Sequence, residues 1–402
     1  MVDADQLFGM ALGLDAPWYV ASSEIVEGEL HIHVDFEVGA RFEGKPVHDT
    51  AVRTWRHLNF WQYPTYIHGR VPRCVDAEGK VKTVEAPWAK PGSGFTLLFS
   101  ELVFKMVPST PVSKVAEQLK VDEMKIWRFM DRSVESARAK EDFSTVTRVG
   151  VDETSCKKGH HYITTFVDLD TRRVLFACEG KAASTLSQFK TDLEKHGGKA
   201  SNIKSFSSDM SKAFLSGIAE SFPTASVVLD KFHLVKMVSE AVDATRRSET
   251  QKIRTARGFR FLLLKNPNRL SDSQKELLKA TMAKPAFSKT AECYRLRLAF
   301  QELFLHSKET APEAINTWLS EAIESGAEAM EKVGASFLEK RDQILNWFEH
   351  RISNGILEGF NSVLQSAKNR ARGYGNPKHM ILMSYILHGK LNLTPQTGGI
   401  HR

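Results

Sequence analysis

The clearest alternation of apolar and polar positions is LHIHVDF at 30–36, where Leu30, Ile32, Val34 and Phe36 share one side of an extended chain. Period two predicts a strand with one buried face. The region from 30 to 90 keeps this β-branched and aromatic character, and GRVPRCVDAEGKVKTVEAPWA predicts a hairpin turning at Ala77-Glu78-Gly79. The period then changes. Thr110 as N-cap and Pro111 as first helical residue predict a short helix, with Val112, Val115, Ala116 and Leu119 at helical spacing. After a break at Lys120-Val121-Asp122 a second helix puts Ile126, Met130 and Val134 on one face and Lys125, Arg128 and Arg132 on another. This is the outline of a helix-turn-helix, and equally that of a small packing module.

From 146 to 230 the pattern reads as α/β. TVTRVGVD, HYITTFVDL and RRVLFACEG are three strands able to form an antiparallel meander, and IKSFSSD and ASVVLD are two more reached through helical crossovers. From 231 to about 350 the pattern is helical, with Arg246, Arg247, Lys252, Arg254, Arg257 and Arg260 crowding its first part. A last long helix is predicted over 354–372, with Asn354 as N-cap and Gly373 and Gly375 as stops. Leu357, Phe360, Leu364 and Ala367 form its apolar stripe. Glu358, Asn361, Gln365, Lys368 and Arg372 form another, so one face begins with an acid and runs into amides and bases.

Composition changes this picture little. The chain has 402 residues and a formal charge of +7, which suits a polyanionic partner or a solvated basic surface. Cys74, Cys156, Cys178 and Cys293 lie far apart with no CxxC pair, so neither a disulfide framework nor a Cys-rich zinc site is expected, and a reducing interior is the simplest compartment. The N-terminus has early acids and no basic region of a secretory signal, and no apolar stretch is long enough to span a bilayer.

The chemistry lies in the carboxylates. Asp152 ends the first α/β strand, Asp209 follows the fourth and Asp230 ends the fifth. Any one of them could be a cap or turn residue. Three at strand ends of one sheet face the crevice where ligands bind, and their repulsion is unfavourable unless a cation offsets it. All-oxygen ligation suits Mg²⁺ or Mn²⁺. Glu358 supplies a further carboxylate. Glu153, the next residue on its strand, should point away from Asp152 and be structural. Lys157, Lys158 and His160 either clamp a phosphate or form a solvated turn. His161 is a sheet residue, and Cys156 a small buried side chain.

In this order and spacing the motifs VGVDE…KKGHHYITTFVDLDTRRVL, SSDMSKAF, LDKFHLVK and NGILEGFN resemble the ISL3 family of bacterial insertion-sequence transposases, as do RTWRHLNFWQYPTYIHGRVPR and EAPWAKPGSGFTLLF. The resemblance runs from about residue 30 to 390. It implies a ribonuclease-H-like α/β core interrupted by a long all-α insertion, preceded by a β-rich, zinc-finger-like segment and the helix-turn-helix. The corresponding divisions are 1–100 for the β-rich segment, 101–145 for the helix-turn-helix, 146–235 with 341–392 for the core, 236–340 for the insertion and 393–402 for a tail. Asp152, Asp209 and Glu358 are then the catalytic, Mg²⁺-ligating triad. Asp230, His233, Asn354 and Asn361 support it, and Lys125, Arg128, Arg132, Lys157, Lys158, Lys368, Arg370 and Arg372 contact DNA.

The implied activity is binding of the element's terminal inverted repeats, metal-dependent hydrolysis at its ends, and strand transfer into target DNA. Double-stranded DNA is the partner, a dimer or larger assembly forms on it, and the setting is the bacterial cytoplasm at the nucleoid. The family's Cys-rich zinc motif is degenerate here. Cys74 with scattered His48, His57 and His68 lacks paired-ligand spacing, so structural zinc is not expected. Trp55, Phe60, Trp61 and Trp88 are expected to pack the segment instead. Two alternatives share these residues: a metal-dependent nuclease on the same fold, and a domesticated DNA-binding regulator.

Overall fold

The computed structural model describes residues 3–157, 161–250, 259–352 and 355–393. The chain divides into two compact units, Met1–Glu141 with Val363–Arg402, and Asp142–Ser362.

In the first unit, helix α1 (Ala4–Ala11) opens on a capping box between Asp3 and Gln6. The main sheet contains β1 (Trp18–Val26) and β2 (Glu29–Phe36). After the short pair β3 (Arg41–Phe42) and β4 (Lys45–Pro46) come its remaining strands β5 (Asp49–Phe60), β6 (Tyr63–Val75) and β7 (Val81–Thr83). The sheet runs β1-β2-β6-β5, with β7 on β6. Leu30, Ile32, Val34 and Phe36 of β2 are buried, as their alternation predicts. Trp18 and Trp55 each pack edge-on against Trp88, at ring separations of 5.2 and 5.4 Å. Phe60 and Trp61 depart from the expected packing. Trp61 is 80% exposed and Phe60 36% at the β5–β6 turn, stacked on each other. The turn holds Trp61 at φ 53°, which carries both rings past the end of the sheet. Cys74 is buried, His57 bonds Thr96, and His68 bonds His31 and Thr54.

Helix α2 (Leu97–Met106) is capped by Thr96. The two helices of the expected helix-turn-helix follow as α3 (Val112–Leu119) and α4 (Glu123–Arg138). Pro111, not Thr110, is the N-cap of α3: its ψ of 138° is extended, and a proline has no N–H to lose there. Lys120 in left-handed conformation makes the turn, and the Asp122 side chain accepts from Lys125 N–H to start α4.

The second unit is built on β8 (Arg148–Lys157), β9 (His161–Asp168), β10 (Arg173–Glu179), β11 (Ser205–Ser208) and β12 (Ser226–Leu229), in the order β10-β9-β8-β11-β12. The first three are antiparallel; β11 is parallel to both β8 and β12. Helices α5 (Ser184–Lys195) and α6 (Lys212–Ser221) make the crossovers. Phe166 stacks on Phe189 at 4.4 Å in a core completed by Phe206, Phe214 and Phe222.

An all-helical run follows: α7 (Lys231–Thr250), α8 (Phe259–Leu264), α9 (Asp272–Met282), α10 (Ser288–Leu303), α11 (Ala311–Ile323), α12 (Glu328–Leu338) and α13 (Arg341–His350), around its own apolar core. Of the bases expected to crowd this region, Arg246, Arg247 and Arg260 converge on the buried Asp243, at 2.8, 3.4 and 3.2 Å. Lys252, Arg254 and Arg257 lie outside the described residues. The chain then enters α14 (Gly355–Arg370) and α15 (Pro377–His388). No described helix is long and apolar enough to cross a membrane.

Candidate active site

Strand β8 does not end at Asp152. It runs on to Lys157, still paired with β9, which in turn stays paired with β10 as far as Ile163, because Asp152 to Ser155 keep their partners Thr165 to Tyr162. What ends near Asp152 is the pairing with β11, which stops at Gly150. The sheet forks there, and Asp152 lies just past the fork. Asp209 follows the last residue of β11, and Asp230 the last residue of β12. Asp209 and Asp230 thus stand at the carboxyl ends of two neighbouring parallel strands, and Asp152 stands beside them on β8 just past the point where its pairing with β11 stops.

Asp152 is half-buried, and its carboxyl is pushed up to about 6, first by burial and further by the charge of Asp209. Its Oδ1 accepts from Glu153 N–H (2.8 Å), and its Oδ2 accepts from Asn361 Nδ2 (2.7 Å). Asp209 Oδ1 accepts from Ser211 N–H (2.9 Å) just ahead of α6, whose N-cap is Ser211. Asp209 therefore orders the chain into the helix without being its cap. Asp230 is 4% exposed, and its Oδ2 lies 2.7 Å from His233 Nδ1. That hydrogen bond raises the His233 imidazole above its ordinary range; burial opposes it, and Asp152 and Asp209 add to it.

Helix α14 brings Asn361 to Asp152, and Gly150 makes the approach possible. A Cβ on Gly150 would meet Leu357 Cδ1 and Leu169 Cδ2, both at 2.9 Å. Glu358 is one helical turn before Asn361, so the two share a face, and Glu358 is exposed.

Two matches to known families meet on this geometry. Residues 149–384 match the ISL3-type DDE family described as "Transposase", and residues 84–134 match the helix-turn-helix domain of transposase family ISL3. This chain belongs to transposase family ISL3. It is similar to the transposase for insertion sequence element IS1001 of Bordetella parapertussis, 28% identical over 364 residues, with 86% of each chain covered. It is also similar to the transposase for insertion sequence element IS1557 of Mycobacterium tuberculosis, 24% identical over 369 residues, covering 84% of this chain and 81% of that one. Like its relatives it is a DDE-type enzyme that binds DNA, and neither a simple nuclease nor a domesticated regulator is favoured.

Membership in ISL3 implies a divalent metal. The donors fit one in kind. Asp152 and Asp209 are hard oxygen ligands, and their mutual repulsion is what a cation would relieve. Among the described residues, however, no three His, Cys, Asp or Glu side chains stand close enough together to hold a metal.

Other expected residues of the transposase fall as follows. Glu153 faces Lys181, 3.6 Å from Oε1 to Nζ. Burial raises its carboxyl. Cys156 is buried, and its thiol donates to His161 O. Lys157 is exposed at the end of β8; Lys158, His160 and Asn354 lie outside the described residues. Lys368, Arg370 and Arg372 belong to the other compact unit. Arg370 is held there, donating to Pro108 O (2.9 Å) and Ser366 Oγ (3.1 Å), while Arg372 is exposed. The sequence reading missed Gly150 and Lys181. A glycine between β-branched residues of a strand was the available signal for a close approach of another element.

Proposed function

We propose that this chain binds the terminal inverted repeats of its insertion sequence, hydrolyses a phosphodiester at each end, and uses the freed 3′-OH to attack target DNA. Residues 146–235 and 341–392 would be the ribonuclease-H-like core, 236–340 its all-α insertion, and 1–100 a segment replacing the zinc-finger-like one. Asp152, Asp209 and Glu358 would be the triad that holds Mg²⁺. The observation that supports this most directly is the Asn361–Asp152 hydrogen bond, since Asn361 and Glu358 lie one turn apart on the same face of α14. Glu358 would reach the aspartates by a side-chain rotation open to an exposed residue.

A bound divalent cation supplies positive charge to the entering and leaving oxygens of the displacement. The chain's own groups do the rest. Asp230 holds His233 with Nδ1 engaged, leaving Nε2 free to meet a phosphate oxygen. Asn361 fixes the Asp152 carboxylate by one oxygen. Synapsis of two ends requires at least a dimer on DNA. Excision in cells tests the proposal: a marker flanked by the DNA neighbouring the gene, with wild type against Glu358→Gln. Excision by wild type alone supports it. Equal excision by both removes Glu358 from the site, and none by wild type removes the activity.

A further inference from the structure

Helix α4 carries a run of exposed bases, flanked on one side by exposed acids. Lys125, Arg128, Arg132 and Lys140, just past the helix, share a side, while Asp131 and Glu135 are exposed elsewhere. The basic side is not a free convex surface. It forms one wall of a groove whose opposite wall is strand β5 and the loop 90–95. Arg132 crosses the groove, its Nη1 donating to Gly92 O at 3.1 Å, and divides it into two bays of about 470 and 410 Å³ that share Phe129 and Arg132.

In the first bay Lys125 and Arg128 face Arg56, with the Thr54 and Tyr66 hydroxyls beside them. Arg56 is 4% exposed and has no carboxylate partner. Its guanidinium donates to Thr65 O and Leu119 O at 3.1 Å, and its buried Nε has no acceptor. In the second bay Lys90 and Lys140 stand among Ser93, Ser100, Ser133 and Ser136. Burial and the Lys140 charge both lower the Lys90 ammonium below its ordinary range. The acid lining either bay is Asp122, already engaged as the α4 cap. The cations lining the two bays outnumber the one acid there, an arrangement that an entering anion would stabilise.

We infer that the two bays hold backbone phosphates of one DNA strand, so that the basic face of α4 grips phosphate between helix and sheet and does not read base edges. This rests on the DNA-binding reading above and specifies which DNA atoms that face meets. A walled groove admits a strand edge and keeps the helix from lying flat in a major groove. From Lys125 to Lys140 is about 22 Å at helical rise, enough to reach several successive phosphates of one strand.

The test is binding of the full chain to a duplex from the DNA flanking the gene and to an unrelated duplex of equal length, each across a salt series. Lys125→Gln with Arg128→Gln removes two of the exposed cations lining one bay, and Lys90→Gln with Lys140→Gln two of those lining the other. Each pair should weaken binding to both duplexes by the same factor, on the order of tenfold per cation, and lower the slope of log K against log salt by about one per cation removed. Loss confined to the flanking duplex, with the slope unchanged, would make this a base-reading face and overturn the inference. So would unchanged binding to both. A wild-type chain that bound neither duplex would overturn the DNA-binding reading as well. Phosphate-ethylation interference on the wild-type complex needs no variant: ethylation should block binding at consecutive phosphates of one strand, and its absence there counts against the bays.

Discussion

Replacing Asp152 by Asn should make the metal-free chain more stable while abolishing strand cleavage. The Asp152 carboxyl sits at about 6 instead of 3.8, with burial as the first cause and Asp209 behind it. A rise of about two units, at roughly 1.4 kcal/mol each, is a destabilisation on the order of 3 kcal/mol once the group is ionised. The sign follows from proton binding. The folded chain holds this proton more tightly than the unfolded one, so the stabilising contribution is complete below about pH 4. It is lost as pH rises through about 6 and stays lost above that.

An Asn side chain has no charge to bury but keeps one oxygen where Asp152 uses two, for Glu153 N–H and Asn361 Nδ2. One of those bonds is given up, at about 1 kcal/mol. The variant should therefore gain on the order of 2 kcal/mol over wild type at pH 8 and lose about 1 kcal/mol at pH 4. Denaturation midpoints of both chains, in chelator at the two pH values, read this directly. A variant less stable than wild type at pH 8, or a gap that does not change with pH, would refute the burial argument. DNA binding should survive the substitution; retained cleavage would refute the catalytic role.

Glu358→Gln should keep DNA binding and lose cleavage and joining with no measurable change in melting temperature, since Glu358 is exposed; wild-type cleavage rates would sink the triad. Gly150→Ala should cost about 1–3 kcal/mol by overpacking against Leu357 and Leu169 and should lower activity by displacing α14; an unchanged denaturation midpoint would show that the helix yields freely. Asp230→Asn removes the charge that helps raise His233 and weakens its hydrogen bond, so by NMR the imidazole should titrate at lower pH than in wild type; an unmoved titration would mean that the pair is not formed. Neutralising Lys368 and Arg372 together should lower the salt slope of DNA binding by up to about two, and an unchanged slope would take DNA away from the end of α14.

The catalytic half was legible because its signals are local. An apolar run followed by Asp marks a strand end at Asp209 and Asp230, and at Asp152 it marks the end of the pairing with β11, in the order a parallel sheet needs. The alternation of β2 works in the same way. What local pattern does not carry is pairing. The extension of β8 past Asp152 depends on β9 continuing alongside it, and nothing in RVGVDETSCK announces where a partner stops. Phe60 and Trp61 look like core residues by type, yet the turn they form points them outward.

The cation groove of the first unit is the harder case, and for a physical reason. Its members come from separate stretches: Arg56 on a strand, Lys90 in a loop, and Lys125 to Lys140 along and just past a helix. Each alone reads as an ordinary solvated base. Arg56 sits in an alternating strand where a charge should face water, but it is buried because carbonyls from β6 and from the end of α3 converge on it. The proposed triad takes its aspartates from neighbouring strands of one sheet, so their order survives in the sequence. A phosphate grip needs only positive charge along a wall, and any segment the fold brings to that wall can supply it. The spacing of the bases therefore carries no pattern to read, and their common lining of one groove is seen only in the folded chain.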